Sequence, residues 1–335
     1  MLKKQKYNVA IAGATGAVGA EFIALLENRR FPVGELKLLA SQKSVGKKLT
    51  FSGQEVAVCE LTADSFKGID IALFSAGADR SRQFAPCAVK AGAVVIDNSS
   101  AFRMDPHVPL VVPEINPDAA YKHEGIIANP NCTTIIMGVV VWPIHQINRV
   151  KHIVVSTYQA VSGAGAKALA ELNTQQRDLV EGRKPKPQVF KHVIANNIFS
   201  HDSKVMDNGY NQEELKMIHE THKIFQDDGI TISPTCVRVP IARAHSESIY
   251  MELARVVNLN DIHQVLSRAT GVKVVDEPDN NLFPMPLDCS GRDAVLVGRI
   301  RRDPSVANAV SLFCCGDQLL KGAALNAVQI AELLI

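Results

Sequence analysis

Nowhere does the chain gather lysine and arginine into a sustained run, and its 36 basic and 34 acidic residues leave a formal net charge of only +2. Phosphate backbones and anionic membrane surfaces are held by concentrated positive charge, so this distribution gives neither nucleic acid nor membrane as a partner. No apolar stretch approaches the roughly 20 residues that a bilayer-spanning helix needs. The first apolar segment, Val9 to Ala12, is short and runs straight into a glycine loop, unlike the core of a signal peptide. Seven cysteines (59, 87, 132, 236, 289, 314 and 315) are scattered without a CxxC pair. That odd, dispersed set belongs to a reduced, cytoplasmic protein rather than to a disulfide framework. Repeats and low-complexity segments are absent as well.

What is present fits an ordinary globular chain: 335 residues, 47% apolar and 21% charged, enough for two domains with real cores. Asn8 to Ala12 reads as a short buried strand, followed by glycines at 13, 16 and 19 and an apolar helix through Glu21 to Leu26. Strand, glycine loop and helix in that order form a dinucleotide-binding turn, in which Gly13 and Gly16 let the backbone approach a pyrophosphate at the helix N-terminus. A tight βα connection without a ligand would read the same way. A second strand, Leu36 to Ala40, ends in Ser41-Gln42-Lys43-Ser44 with no carboxylate to hold the ribose hydroxyls of NAD. Its hydroxyls and cation suit the 2′-phosphate of NADP, unless the segment is simply a solvated turn. Two more αβ units follow. Asp70 to Gly77 ends in small residues, Ala76 and Gly77, that permit close approach of a cofactor; residues 79–91 are helical. Ala93 to Asp97 delivers Asn98 to Arg103 at its C-terminal end, where open sheets bind ligands. Arg103 there is either an anion site or a surface arginine.

Gly125 to Ala128 reads as a buried strand, and Asn129-Pro130-Asn131 forces a turn. Thr133 begins an apolar helix running at least to Val141, with Pro143 ending or kinking it. Cys132 would then sit beside the positive end of a helix dipole, which lowers a thiol's pKa and favours the nucleophilic thiolate. A buried structural cysteine is the alternative. Ile153 to Ala160 is a strand with Gln159 near its end, and a small-residue loop containing Ser162 and Gly163 leads to a helix over Lys167 to Leu179. Residues 181–211 have no period and read as a long surface excursion. Asn211 caps a helix whose Lys216, Glu220 and Lys223 share one face, which from spacing alone is a solvated ion-pair face. His219 and His222 flank Glu220, but the spacing is one residue short of HExxH, so no metal is assigned. Strands are expected near 231–239, 247–256, 272–276, 293–301 and 308–315, largely antiparallel, with Asn260 or Asp261 capping a helix that runs to about Ala269. Arg238 and His245 flank the turn between the first two of these strands and either converge on one pocket or serve structurally. Gly316 to Ala324 opens a long amphipathic C-terminal helix that returns to the first domain.

Seven stretches, in order, carry a resemblance: GATGAVG at 13–19, SSAFRMD at 99–105, ANPNCTT at 128–134, QAVSGAG at 159–165, ETHKI at 220–224, VRVPIARAHSES at 237–248 and GDQLLKGAA at 316–324. Along nearly its whole length the chain resembles the aspartate-semialdehyde dehydrogenases. The resemblance implies an α/β fold: an N-terminal Rossmann-type dinucleotide-binding domain (1–131 plus a C-terminal helix, 317–335) and an α+β catalytic and dimerisation domain (132–316) with a mixed, largely antiparallel sheet. It implies NADPH-dependent reductive dephosphorylation of 4-phospho-L-aspartate to L-aspartate 4-semialdehyde, in the biosynthesis of lysine and diaminopimelate, threonine, methionine and isoleucine. Cys132 corresponds to the nucleophile and His245 to its acid–base partner, with a pKa near the working pH. Gln159 orients the substrate, Arg238 and Glu220 hold its α-carboxylate and α-amino group, and Arg103, Asn131 and Lys223 bind phosphate. NADP is lined by Gly13, Thr15, Gly16, Ala17, Val18, Lys43, Ser44, Ala76, Gly77, Ser162, Gly163 and Gln318; Lys43 stands where arginine is expected in many relatives. A cytoplasmic homodimer or tetramer is implied. An N-acetyl-γ-glutamyl-phosphate reductase shares the plan and the thioester chemistry, though Glu220 suits a free ammonium better than an acetamide. A catalytically silent binding or assembly protein is the alternative of another class, and the intact Cys132, Gln159, Arg238 and His245 argue against it.

Overall fold

Short strands buried on both faces read as continuous apolar runs, and the first sheet of the computed structural model is built from such runs. The structure describes residues 4–256 and 258–335. In the first sheet, β1 (Tyr7–Ala12) lies at the centre with β2 (Val33–Ala40) and β5 (Ile71–Phe74) parallel on either side. The full order is β3-β4-β2-β1-β5-β6-β7, with β3 (Lys48–Phe51), β4 (Gln54–Glu60), β6 (Val94–Asp97) and β7 (Ile126–Ala128). Every pairing is parallel except that of β3 with β4. Helices α1 (Ala17–Asn28) and α2 (Ala78–Lys90) are the crossovers. Because β2 and β5 flank β1, the chain reverses direction across the sheet there, and ligands bind at the C-terminal strand ends of such a switch point. Sequence periodicity missed the β3–β4 hairpin, which is short and polar. Its signal is Ser52-Gly53, both at positive φ, the two-residue turn that suits strand twist.

The second sheet has the order β12-β13-β14-β11-β8-β10-β9. Its central strands are β8 (Val150–Gln159), β10 (Thr231–Arg238), β11 (His245–Leu253) and β14 (Ala309–Gly316); β9 (Phe199–Ser200), β12 (Val272–Val274) and β13 (Val295–Arg302) complete it. The β10–β8 and β12–β13 pairs are parallel and the rest antiparallel. Residues alternate in burial: Ile153, Val155, Thr157 and Gln159 face inward, while Val154 is 40% exposed on the other side. Helix α3 (Cys132–Ile147) packs on the inward face with α5 (Gln212–Phe225) and α6 (Leu259–Arg268); α4 (Ala166–Val180) and the single turn α7 (Pro286–Cys289) complete the helices of this sheet. Helix α3 opens at Cys132 itself and runs through Pro143 to Ile147, four residues beyond the expected break. The cap of α6 is Asn258, not Asn260 or Asp261. Nor is 181–211 wholly a surface excursion: Phe190, Ile194 and Ala195 are buried against Val161, Ala168 and Leu172.

After a π-helical turn at Leu320–Ala324 comes α8 (Leu325–Leu333). It is buried on most sides rather than amphipathic, and it packs with α1 and β6. The chain divides into two compact units, one running through Asn131 and resuming at Ala323–Ile335, the other Cys132–Gly322. Residues 317–322, assigned from sequence to the first domain, thus group with the second, where Asp317 and Gln318 bond to the turn ahead of β11. Among the described residues no helix is long and apolar enough to cross a membrane.

Candidate active site

In the first unit, the C-terminal ends of the central strands border a cavity of about 230 Å³ whose walls include Gly13, Thr15, Gly16, Ser41, Ala76 and Arg80. Gly16 caps α1 in an extended conformation without a side-chain acceptor, and no acid lies in the first turn, which starts at Ala17 and Val18. The unpaired N–H groups and dipole of such a terminus attract a phosphate. Ser44 is buried and its Oγ accepts from Thr15 Oγ1 at 3.3 Å, whereas Lys43 beside it is exposed and does not line the cavity. The cation in the wall is Arg80, which sequence reasoning passed over although it stands in the first turn of α2, just after its N-cap Gly77.

Arg103 is no surface residue. It is 8% exposed; its Nε donates to Asn129 O (2.9 Å) and its Nη2 to Asn98 O (2.7 Å), tying the ends of β6 and β7 together. Asn129 donates in turn to Asn98 Oδ1 at 2.6 Å and accepts from Asn326 Nδ2 at 2.6 Å. This buried amide lattice fixes the strand end from which the chain passes, through the buried Asn131, to Cys132.

Within the second unit, Cys132 is half-buried, outside any disulfide, at the first position of α3. Gly322 presses against it so closely that a Cβ there would stand 2.9 Å from Cys132 Cβ and 3.4 Å from Gln318 Cβ. Gln318 extends the connection: its Oε1 accepts from Ala244 N–H (2.8 Å), and its Nε2 donates to Ser162 Oγ (2.6 Å), which donates to Ala242 O (2.5 Å). Ala244 has φ of 72°, a conformation costly for a residue with a Cβ, and the Gln318 bond helps to hold it. His245 follows directly. The 316–322 segment therefore links the thiol to the imidazole.

His245 is fully buried, and its Nδ1 accepts from Ala160 N–H at 2.9 Å. The ring proton therefore sits on Nε2, which bonds to no protein atom. Burial, and then the Arg238 cation, push its pKa down to about 3. This corrects the expectation of a value near working pH: the ring is a neutral donor. Arg238 is also buried; Nη1 donates to Ala160 O (3.1 Å), Nη2 lies 2.8 Å from His201 Nε2, and Nε has no protein partner. A side chain at Gly163 would stand 3.2 Å from His245 Nε2 and 3.5 Å from Arg238 Nη1. The absence of a side chain at Gly163 thus leaves His245 and Arg238 uncrowded on that side.

Gln159 is buried rather than at the surface, and its Nε2 donates to Glu213 Oε1 at 3.2 Å. Glu213 Oε2 accepts from Lys216 Nζ at 2.8 Å. Glu220, one turn on, is 1% exposed, and Lys223 is half-buried. The α5 face read as solvated is therefore turned inward. Spacing could not show this, because the periodicity of a charged face is the same whether water or protein covers it. His222 Nε2 lies 2.7 Å from Ile230 O, and among the described residues no three His, Cys, Asp or Glu side chains are placed to hold a metal. Arg80, His201, Glu213 and Gly322 are positions to which sequence reasoning gave no role; Gly322 lies in the GDQLLKGAA stretch, and the other three carry no local motif.

A family described as semialdehyde dehydrogenase, NAD binding domain, matches residues 8–123, and one described as semialdehyde dehydrogenase, dimerisation domain, matches residues 141–321. The aspartate-semialdehyde dehydrogenase of Synechocystis sp. is 54% identical over 327 residues, 98% of this chain and 97% of that protein. That of Aquifex aeolicus is 54% identical over 333 residues, 98% of each. The crystal structure of aspartate semialdehyde dehydrogenase II from Vibrio cholerae, complexed with ASA, matches with a TM-score of 0.96 at 45% identity, covering 99% of this chain and 98% of that one.

Proposed function

Because the chain belongs to the aspartate-semialdehyde dehydrogenase family, we propose that it interconverts 4-phospho-L-aspartate and L-aspartate 4-semialdehyde through a thioester on Cys132, with NADP as cofactor. It is thus an oxidoreductase of amino-acid biosynthesis, in the routes to lysine and diaminopimelate, threonine, methionine and isoleucine. The observation that carries the chemistry is a pair of buried groups beside the side-chain-free Gly163: His245 Nε2 and Arg238 Nε bond to no protein atom and can donate to a ligand. The acetylated-substrate and silent-paralogue alternatives are not favoured by relatives of this identity and coverage.

The small polar cavity at Gly13, Thr15 and Ala76 and the uncapped start of α1 fit a pyrophosphate; Ser41, Ser44 and Arg80 fit a 2′-phosphate. When bound, the reduced nicotinamide supplies the hydride that reduces the acyl carbonyl. In that direction the Cys132 thiolate first adds to the acyl-phosphate carbonyl. The C–S bond forms, the carbonyl pair moves to oxygen, and inorganic phosphate then leaves with the C–O bond pair to give the thioester. The N–H groups and dipole at the start of α3 stabilise the oxyanion, and His245 donates Nε2–H to the same oxygen. After reduction the carbonyl re-forms, the C–S bond breaks and the thiolate departs. Sulfur suits both ends of this sequence because it attacks easily and leaves easily. Arg238 holds the α-carboxylate and Glu220 the α-ammonium. Gln159, held by Glu213, orients the acyl group, and Arg103, Asn131 and Lys223 receive phosphate.

Cys132→Ala is expected to abolish phosphate-dependent NADPH formation from L-aspartate 4-semialdehyde while NADP still binds, measured by absorbance and by cofactor titration. Full turnover in that variant would sink the assignment. The dimerisation-domain match and the outward sheet face bearing Val154, Tyr158, Tyr250 and Phe313 support a homodimer through that face. Light scattering that returns a monomer mass at micromolar concentration would exclude it.

A further inference from the structure

Arg238 is held from one side by a histidine that the proposed chemistry does not use. The register of the β9–β10 bridge, Arg238 opposite Phe199 and Val237 opposite Ser200, brings the next residue, His201, alongside. His201 N–H donates to Cys236 O at 2.8 Å, which seats the ring beside the arginine. Arg238 Nη2 then lies 2.8 Å from His201 Nε2. A guanidinium can only donate, so Nε2 must be the lone-pair nitrogen of a neutral imidazole. Arg238 thereby sends the ring proton to Nδ1, which faces Ser203 Oγ at 3.1 Å and also Ser203 N–H at 3.2 Å; that Oγ lies 3.3 Å from Asn211 Oδ1 and accepts from Glu213 N–H at 3.2 Å. Asn211 is the N-cap of α5, the helix that presents Glu213, Lys216, Glu220 and Lys223. A single run of hydrogen bonds thus joins the arginine to the cap of that helix.

We infer that neutral His201 is a positioning residue: it aims the Arg238 guanidinium at the substrate's α-carboxylate, and its protonation undoes the aim. The inference rests on the reading of Arg238 as the carboxylate anchor. With Nη1 tied to Ala160 O and Nη2 to His201, the plane of the fork is fixed while Nε, buried, has no protein partner. Asp202, 3.7 Å from Nη2, is too far to replace the histidine. A proton on Nε2 would abolish the acceptor and set two cations 2.8 Å apart. The groups facing His201 are Arg238 from β10, Glu213 and Lys216 from α5, Asp202 from its own segment and, from β11, His245. Burial dominates among these influences and holds His201 below the ordinary histidine range, so the neutral form prevails at neutral pH.

The test uses steady-state kinetics of the full chain with L-aspartate 4-semialdehyde, NADP and phosphate. His201→Leu is expected to raise the KM for the semialdehyde by about tenfold or more, as loss of a bond to a charged group does, with the KM for phosphate and for NADP unmoved. His201→Gln, which offers an uncharged acceptor at similar reach, should bring that KM back to within about threefold of wild type. The wild-type semialdehyde KM should rise on acidification, and that rise should vanish in His201→Gln. Circular dichroism melts of both variants establish that they fold. An unchanged KM in a folded His201→Leu overturns the inference, as does an acid-side rise that persists in His201→Gln; wild-type protein that fails to turn over the semialdehyde overturns the underlying reading instead.

Discussion

With NADP as the proposed cofactor, the Arg80 guanidinium, in a cavity that otherwise presents glycine, alanine, leucine and hydroxyl groups, would choose between two cofactors that differ by one phosphate. Arg80→Ala should raise the KM for NADPH about tenfold or more, the usual cost of one charge-assisted bond, and leave the KM for NADH unmoved. Equal effects on both would remove Arg80 from the 2′-phosphate site. The turn that binds the pyrophosphate was legible because it is local: Gly13 to Gly16 with a strand before and a helix after can be read in a dozen letters. Arg80 was not, since nothing in its neighbours says that the start of α2 faces the end of β1. Lys43 stands in the segment where the motif looks for a charge, but it is exposed and outside the cavity wall. His245 divides in the same way. Its presence beside Arg238 was readable, but its protonation is set by burial and by Ala160 N–H, and these exist only in the fold.

Elements rather than residues decide how the thiol is held. The turn at Leu320–Ala324 is π-helical, wider than an α-turn, and such insertions concentrate at functional sites. It lays Gly322 on Cys132 with no room for a methyl group. Gly322→Ala should therefore displace the first turn of α3, lowering kcat by about tenfold or more, since small misplacements of a reacting atom are costly. The alkylation rate of Cys132 by iodoacetamide should change in parallel. An unchanged rate with unchanged kcat would show that the contact is slack. Helix α5 illustrates the limit of periodicity. Asn211 with Glu214 was foreseeable as a start signal, and the structure closes it as a capping box, a feature that contributes about 1 kcal/mol. The direction its charged face points was not foreseeable. The strands of the second sheet were found where alternation is strong, as in β8, and the β3–β4 hairpin was lost where each strand is brief and polar.

At the scale of the whole molecule, stability carries two opposing proton linkages. His245, taken from an ordinary 6.5 to about 3, is neutral when folded and binds a proton when unfolded, so stability is lost as pH falls through that window. Glu247, fully buried with neither carboxyl oxygen bonded, has its pKa raised well above 4.5 by burial. It stays protonated when folded and releases the proton when unfolded, so stability is lost as pH climbs from about 4.5 toward its folded value. Glu247→Gln removes only the second linkage. Its Tm should exceed wild type at pH 8 and match it near pH 4, as thermal scans would show; a gap independent of pH would contradict the account. Because the expected strand began at 247 whereas β11 begins at His245, neither the inward placement of Glu247 nor its isolation was legible in the sequence. The first unit's strands are made early, yet α8, whose Val328, Ile330 and Ala331 are buried and whose Asn326 bonds to Asn129 and Val111, is made last. The second unit, by contrast, is one unbroken segment, Cys132–Gly322. A chain stopped before Ala323 would keep Cys132 on a contiguous second unit but leave Asn129 and Val111 of the first unit without their partner Asn326.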